Sequence, residues 1–186
     1  MNISRYFLMV SILCIGTITA QTSDEGTSAG IEEVVVTAQK REGTLQETPI
    51  AITAVTSDEI NYKNVNTIMD IGNIAPNALF VRTPSNNTAA TIAIRGGTQT
   101  NPAITWEPAV GVYLDGVYMG KTQGAIFDAI DLERVEVLRG PQGTLYGRNT
   151  LAGAINMISA KPTETSTKAK LSMGNYGLTQ LQFVSN

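Results

Sequence analysis

Histidine is absent from the 186 residues, and cysteine occurs once, at Cys14 inside an apolar N-terminal run. Past that run the chain has no means of forming a disulfide, a Cys-His pair or a Ser-His-Asp triad. It also lacks the thiolate and imidazole ligands on which most zinc and copper sites depend. Without histidine the usual general base near neutral pH is missing, so enzymatic function is not expected. Charge is sparse as well: 16% of residues are Asp, Glu, Lys or Arg, with a net charge of −3. A mildly acidic chain offers no electrostatic footprint for nucleic acid. Aromatics make up only 6%, whereas there are 17 glycines, which favours many tight turns and a sheet-rich domain. The length suits one domain with a sizeable core.

Residues 1–20 read as a secretory signal peptide. Arg5 supplies a positive start, Tyr6 to Ile15 an apolar run too short for a membrane span, and Thr17-Ile18-Thr19-Ala20 a small-residue end. Residues 21–45 are expected to be a flexible segment. Within it, Ile31-Glu32-Glu33-Val34-Val35-Val36-Thr37-Ala38 prefers extended backbone through its β-branched side chains. The residues alone fit both a first core strand and a strand offered to another protein's sheet edge.

From Pro49 the pattern is that of a packed domain. Ile50–Thr56 reads as a strand, and Ser57, as N-cap ahead of Asp58 and Glu59, opens a helix. Val65, Ile68, Met69 and Ile71 follow at helical spacing. Ala78–Arg82 reads as a strand, residues 83–88 as a loop and Ala90–Arg95 as a further strand. Asp115-Gly116 between two apolar runs marks a two-residue hairpin, whose turn needs positive φ at both positions. Arg134–Leu138 alternates as a strand, Gly140–Gly143 makes a tight turn, and Ala154–Ile158 is another strand. After Pro162, residues 168–173 and 179–183 alternate polar with apolar, which fits a soluble hairpin or a membrane β-barrel strand.

The glycine-rich stretch Gly140–Asn149 has no Gly-Lys-Ser/Thr ending, which excludes a phosphate loop. Arg95, Glu133, Glu136 and Arg139 fit solvated surface charge or ion pairs with an enclosing wall. The loop near Asn86 and the segment from Thr98 to Trp106 are candidates for a ligand face; on its residues alone Trp106 is expected to fill the core.

Glu33–Ala38, Ile94-Arg95-Gly96, Val112–Tyr118, the long run Asp131–Asn149 and Gly153–Asn156 occur in the order found in TonB-dependent outer-membrane receptors, which this chain resembles from about Glu32 to Pro162. The resemblance implies an α+β plug domain over residues 46–162, with a small mixed sheet and short flanking helices, lodged in a barrel of which residues 163–186 would be the first strand or hairpin. Glu33, Val34, Val35, Val36, Thr37 and Ala38 become the TonB box within 31–38, adding as a strand to a TonB-type energy-transducing protein of the inner membrane. Arg95, Glu136 and Arg139 become a plug–barrel lock. Arg82, Asn86, Asn87, Thr98, Gln99 and Trp106 fall at the ligand-facing apex. The implied function is energy-coupled uptake of a scarce small molecule across the outer membrane, most commonly in the family a ferric siderophore, with cobalamin and sugars also known. The ferric chelate would be cargo, with no cofactor held by the protein. A barrel strand needs about 9–11 residues, so the stretch after Pro162 supplies a hairpin and not a closed barrel. Two expectations therefore stand: a fragment of a longer receptor, or a free-standing periplasmic plug-like binding module.

Overall fold

The computed structural model divides the chain into two units, residues 1–32 and Glu33–Asn186. It describes residues 33–185 apart from 85, 102, 104, 122, 124, 125, 127, 130, 163, 164 and 166. The expected signal peptide, and the expected flexible segment as far as residue 32, lie outside the described residues.

Twelve strands can be followed among the described residues: β1 Val35–Val36, β2 Gly43–Thr44, β3 Ala51–Thr56, β4 Ala78–Thr83, β5 Asn86–Ile94, β6 Gly97–Thr98, β7 Val110–Leu114, β8 Val117–Met119, β9 Leu132–Arg139, β10 Gly153–Ser159, β11 Thr167–Met173 and β12 Thr179–Ser185. Two short α-helices, α1 Ser57–Tyr62 and α2 Gly143–Tyr146, and a 3-10 helix at Ile68–Asn73 lie between them. The main sheet has the order β3-β9-β10-β7-β8. Its β10–β7 pair is parallel and its other pairs are antiparallel, which makes it a mixed sheet. A second sheet, β4-β5-β6, stands beside it.

Alternation along the main sheet gives it two faces. From one face Val55, Val135, Val137, Ile155, Met157 and Val112 pack against Ile60 of α1, Ile68 and Ile71 of the 3-10 helix, and Phe80, Ile92 and Ile94 of the second sheet. This is the principal core, and each fully buried Ile or Val contributes about 1.5–3 kcal/mol relative to exposure. From the other face Tyr113, Leu138 and Ala154 meet Ala38, Ile50, Ile52, Tyr118 and Tyr146. Both faces of β9 are thus covered, and Arg134 through Leu138 are all buried.

Close approach fixes one glycine. A Cβ on Gly153 would stand 2.3 Å from the Leu138 carbonyl oxygen and 2.8 Å from Ile94, so the seam between β9, β10 and the second sheet admits no side chain there. The Asp115-Gly116 turn has φ of 48° and 81°, as the dipeptide predicts. Asp115 also ties the turn to the end of β10 by accepting from Ser159 N at 2.8 Å and Ser159 Oγ at 2.6 Å.

Several local expectations shift. The helix N-cap is Thr56, whose Oγ1 accepts from Glu59 N, so Ser57 is already helical. Val65 precedes the second helical stretch, which is a 3-10 helix opened by Thr67; Asp70 accepts from the backbone N–H groups of Asn66 and Thr67 at 3.0 Å. The loop expected over 83–88 is shorter, because β5 begins at Asn86. After Gly140-Pro141 the chain forms α2 before turning at Gly147, whose φ is +84°.

The last two strands form their own antiparallel pair, with Ala169 opposite Phe183 and Leu171 opposite Leu181. Leu171, Met173, Leu181 and Phe183 are all exposed on one face of it. The other face turns Lys170 towards the domain, where its Nζ donates to Asn64 Oδ1 at 3.1 Å.

Candidate functional site

The segment Glu33–Ala38 does not project from the domain. Val36 and Ala38 are buried at 1% and 0% relative exposure, while Val35 just before them stays exposed. A short antiparallel pairing holds one edge of β1, with Val35 opposite Thr44 and Val36 opposite Gly43, extended by Leu45 N donating to Val34 O at 2.9 Å. On reaching the back of the main sheet, Thr37 N donates to Glu136 Oε1 at 2.7 Å, and Thr37 Oγ1 lies 3.2 Å from the same oxygen.

Glu136 is the centre of this contact. It is fully buried, and its carboxylate also accepts from Arg134 Nε at 2.9 Å and Asn156 Nδ2 at 3.4 Å. Arg134 bonds Glu133 too and donates from Nη2 to Thr37 Oγ1 at 3.3 Å. The arrangement follows from strand geometry. Residues 134 and 136 share a face by the two-residue period, and Asn156 sits directly opposite Glu136 across the β9–β10 ladder. A buried carboxylate is tolerated only when paired and fully hydrogen-bonded, and these donors meet that requirement.

An aromatic wall completes the dock. The Tyr113 ring lies 5.0 Å from that of Tyr146, edge-on, and 5.3 Å from that of Tyr118. Tyr113 OH donates to the Tyr146 carbonyl at 2.6 Å, and Lys40, just past the segment, sits 5.6 Å over the Tyr146 ring. Burial, reinforced by the nearby Glu136 charge, pushes the Tyr146 phenol up to about 12. Burial raises Tyr113 in the same direction.

The expected lock residues separate. Glu136, which the resemblance assigned to the lock, accepts instead from Thr37, Arg134 and Asn156 inside the domain. Arg139, at the end of β9, donates to the carbonyls of Ile52 at 3.2 Å and Pro76 at 3.3 Å. Arg95 is exposed with φ of 53°, and its Nη1 lies 3.2 Å from where a Cβ on Gly140 would stand. The two arginines therefore come together at one end of the sheet.

The apex candidates lie on β4, at the start of β5, on β6 and on the loop that follows β6. Asn86 Oδ1 accepts from Thr88 N and Oγ1 at 2.9 and 2.8 Å. Thr98 Oγ1 donates to Ile92 O at 3.0 Å, and Gln99 Oε1 accepts from Asn101 N at 3.0 Å. Arg82 is exposed on β4. The side chain of Asn87 lies outside the described residues. Trp106, expected to fill the core, is instead 53% exposed. Beside it Glu107 accepts from Asn149 and lies near Arg148 and Lys121; the bond from Asn149 comes first in holding its carboxyl below the usual range, with both cations adding to it. No cluster of metal-ligating side chains occurs among the described residues.

Sequence reasoning did not single out Arg134, Asn156, Tyr113, Tyr118 or Tyr146 as functional. The Arg-x-Glu spacing on a strand was the available signal, since it puts the two groups on one face.

A small domain of mixed sheets with few, short helices fits a plug domain. The family model of the TonB-dependent receptor plug domain matches residues 44–154, more than half of the chain, and the chain belongs to that family. It is 33% identical over 147 residues to the pesticin receptor of Yersinia pestis, covering 78% of this chain and 21% of the relative. The vitamin B12 transporter BtuB of Vibrio vulnificus is 31% identical over 147 residues, covering 77% and 23%. Among solved structures, the ferric yersiniabactin uptake receptor FyuA from Yersinia pestis superposes with a TM-score of 0.57 at 29% identity, over 66% of this chain and 18% of that one. The ferripyoverdine receptor of Pseudomonas aeruginosa gives 0.67 at 23% identity, over 81% and 19%, and agrees in fold. The chain spans about a fifth of the length of these relatives. They are outer-membrane receptors and transporters.

Proposed function

We propose that this chain is the plug portion of an exported outer-membrane receptor that takes up a ferric siderophore by coupling to a TonB-type protein. The observation that carries the reading is the docked segment Glu33–Ala38. Its extended, β-branched backbone is held to the domain by one short strand pairing and one side-chain cluster, a contact small enough to be exchanged for another sheet edge. The siderophore assignment draws on relatives such as the yersiniabactin and pyoverdine receptors. In this reading residues 1–20 direct export, and the ligand is met by the strand ends and loops carrying Arg82, Asn86, Asn87, Thr98, Gln99 and Trp106.

The hairpin β11–β12 would open the barrel, with Leu171, Leu181 and Phe183 towards lipid and Lys170 and Gln182 towards the lumen. Arg95 and Arg139 would anchor the plug to carboxylates of the barrel wall. Two guanidinium groups gathered at one sheet end, over the space left by Gly140, suit planar pairing with acids.

Val35→Pro tests the coupling role in a receptor carrying this chain. Proline removes a backbone donor and cannot sit within a paired strand. Energised uptake is expected to fall to background with ligand binding unchanged; uptake at the wild-type rate would exclude Glu33–Ala38 as the coupling strand.

A further inference from the structure

A strand that joins another protein's sheet must offer a free edge, meaning a row of unpaired N–H and C=O groups. In the docked segment one edge is paired, and on the other the donor Thr37 N is taken. The edge bearing Val35 and Val36 is paired with Gly43 and Thr44, and Val34 O accepts from Leu45 N. Beyond β1 the next backbone donor, Thr37 N, is taken at 2.7 Å by a side chain reaching up from the main sheet, Glu136 Oε1. That carboxylate oxygen occupies the place a carbonyl of an added strand would take. Being charged, it is the stronger acceptor of the two.

We infer that Glu136, oriented by Arg134 and Asn156, is the built-in competitor of the coupling partner: its carboxylate stands in for the partner strand at Thr37 N and keeps the segment docked until it is displaced. Arg134 is a positioning residue here, since it bonds Glu136 Oε1 at 2.9 Å and reaches Thr37 Oγ1 at 3.3 Å. The side chains of Val36 and Ala38 go with this contact, because both are buried only while the segment lies on the sheet. Undocking exposes them together with Leu138, Ala154 and Tyr113. The competitor role rests on the coupling function proposed above, whereas the docking contact does not.

Two readouts on the full chain separate these layers. A Val36→Cys reporter is alkylated slowly while buried and quickly once released, and amide exchange in β9 and β10 monitors the sheet independently. Thr37→Pro deletes the N–H without touching the domain. It is expected to speed alkylation of the reporter about tenfold or more, the range of a hydrogen bond to a charged group, with the sheet still protected. Glu136→Gln, which keeps the size and loses the charge, should speed it severalfold, and Thr37→Val about threefold. Binding of the purified periplasmic domain of a TonB-type protein should tighten in Glu136→Gln and Thr37→Val by the same factor as alkylation rises, since both report the released population. Alkylation within twofold of wild type in Thr37→Pro overturns the docking contact. Faster alkylation with unchanged binding overturns the competitor role. Binding of that domain to no form of the chain, with alkylation responding as expected, sinks the coupling function and the competitor role with it, and leaves the dock standing.

Discussion

The back of the main sheet and the loop surface solve the same problem in opposite ways. Behind the sheet, polar groups find partners far along the chain: Thr37 meets Glu136, 99 residues away, and Tyr113 meets the Tyr146 carbonyl, 33 away. On the loop surface, at the start of β5 and in the loop after β6, Asn86 bonds Thr88, Gln99 bonds Asn101 and Asn101 bonds Ala103, each two residues on. Long-range satisfaction makes the dock a single arrangement that forms or breaks as a unit. Local satisfaction lets the loops hold their own turns, so their residues can change without consulting the core. On the proposed function, this division would let one coupling device be kept while the cargo varies.

The comparison breaks most readily at its strongest point. Glu136→Ala removes one member of a buried, hydrogen-bonded pair and leaves Arg134 and Asn156 facing a void. It is expected to lower the unfolding free energy by about 3–5 kcal/mol in denaturant titration. A loss below about 1 kcal/mol would mean that water reaches the site and that the dock resembles a surface contact.

Asn86→Ala, at the exposed start of β5, is the counterpart on the loop surface. Its two bonds are exposed and close a turn of three residues, so the expected cost is about 0.5 kcal/mol or less by the same titration. A loss comparable with that of Glu136→Ala would show that the loop is braced by the core after all.

Much of the framework was legible from residues alone. Asp115-Gly116 announced its hairpin because few sequences tolerate positive φ twice running. The β-branched runs 50–56 and 134–138 announced strands, and the alternation after Pro162 announced a two-faced pair. The role of Glu136 was not legible. Alternation along β9 marks it as lying on the face opposite Val135 and Val137, but nothing local says that residues 36–38, a hundred positions earlier, cover that face. Trp106 misled for the converse reason: its size argues for burial, yet it sits exposed in the loop between β6 and β7. At α2, glycines at its first position and just past its end obscured a helix of one turn, too short to carry a periodic signal.

Amide hydrogen exchange of the wild-type chain, resolved at Val36 and Thr37 and at Val135–Val137, tests most directly the claim that the segment is docked yet releasable. A docked but exchangeable segment is predicted to show protection at Thr37 well above that of an unstructured peptide, and to open well before β9, whose amides should exchange last. Thr37 exchanging at the rate of a free peptide would contradict docking. Thr37 exchanging only together with β9 would contradict release, and would make Glu33–Ala38 an ordinary part of the core.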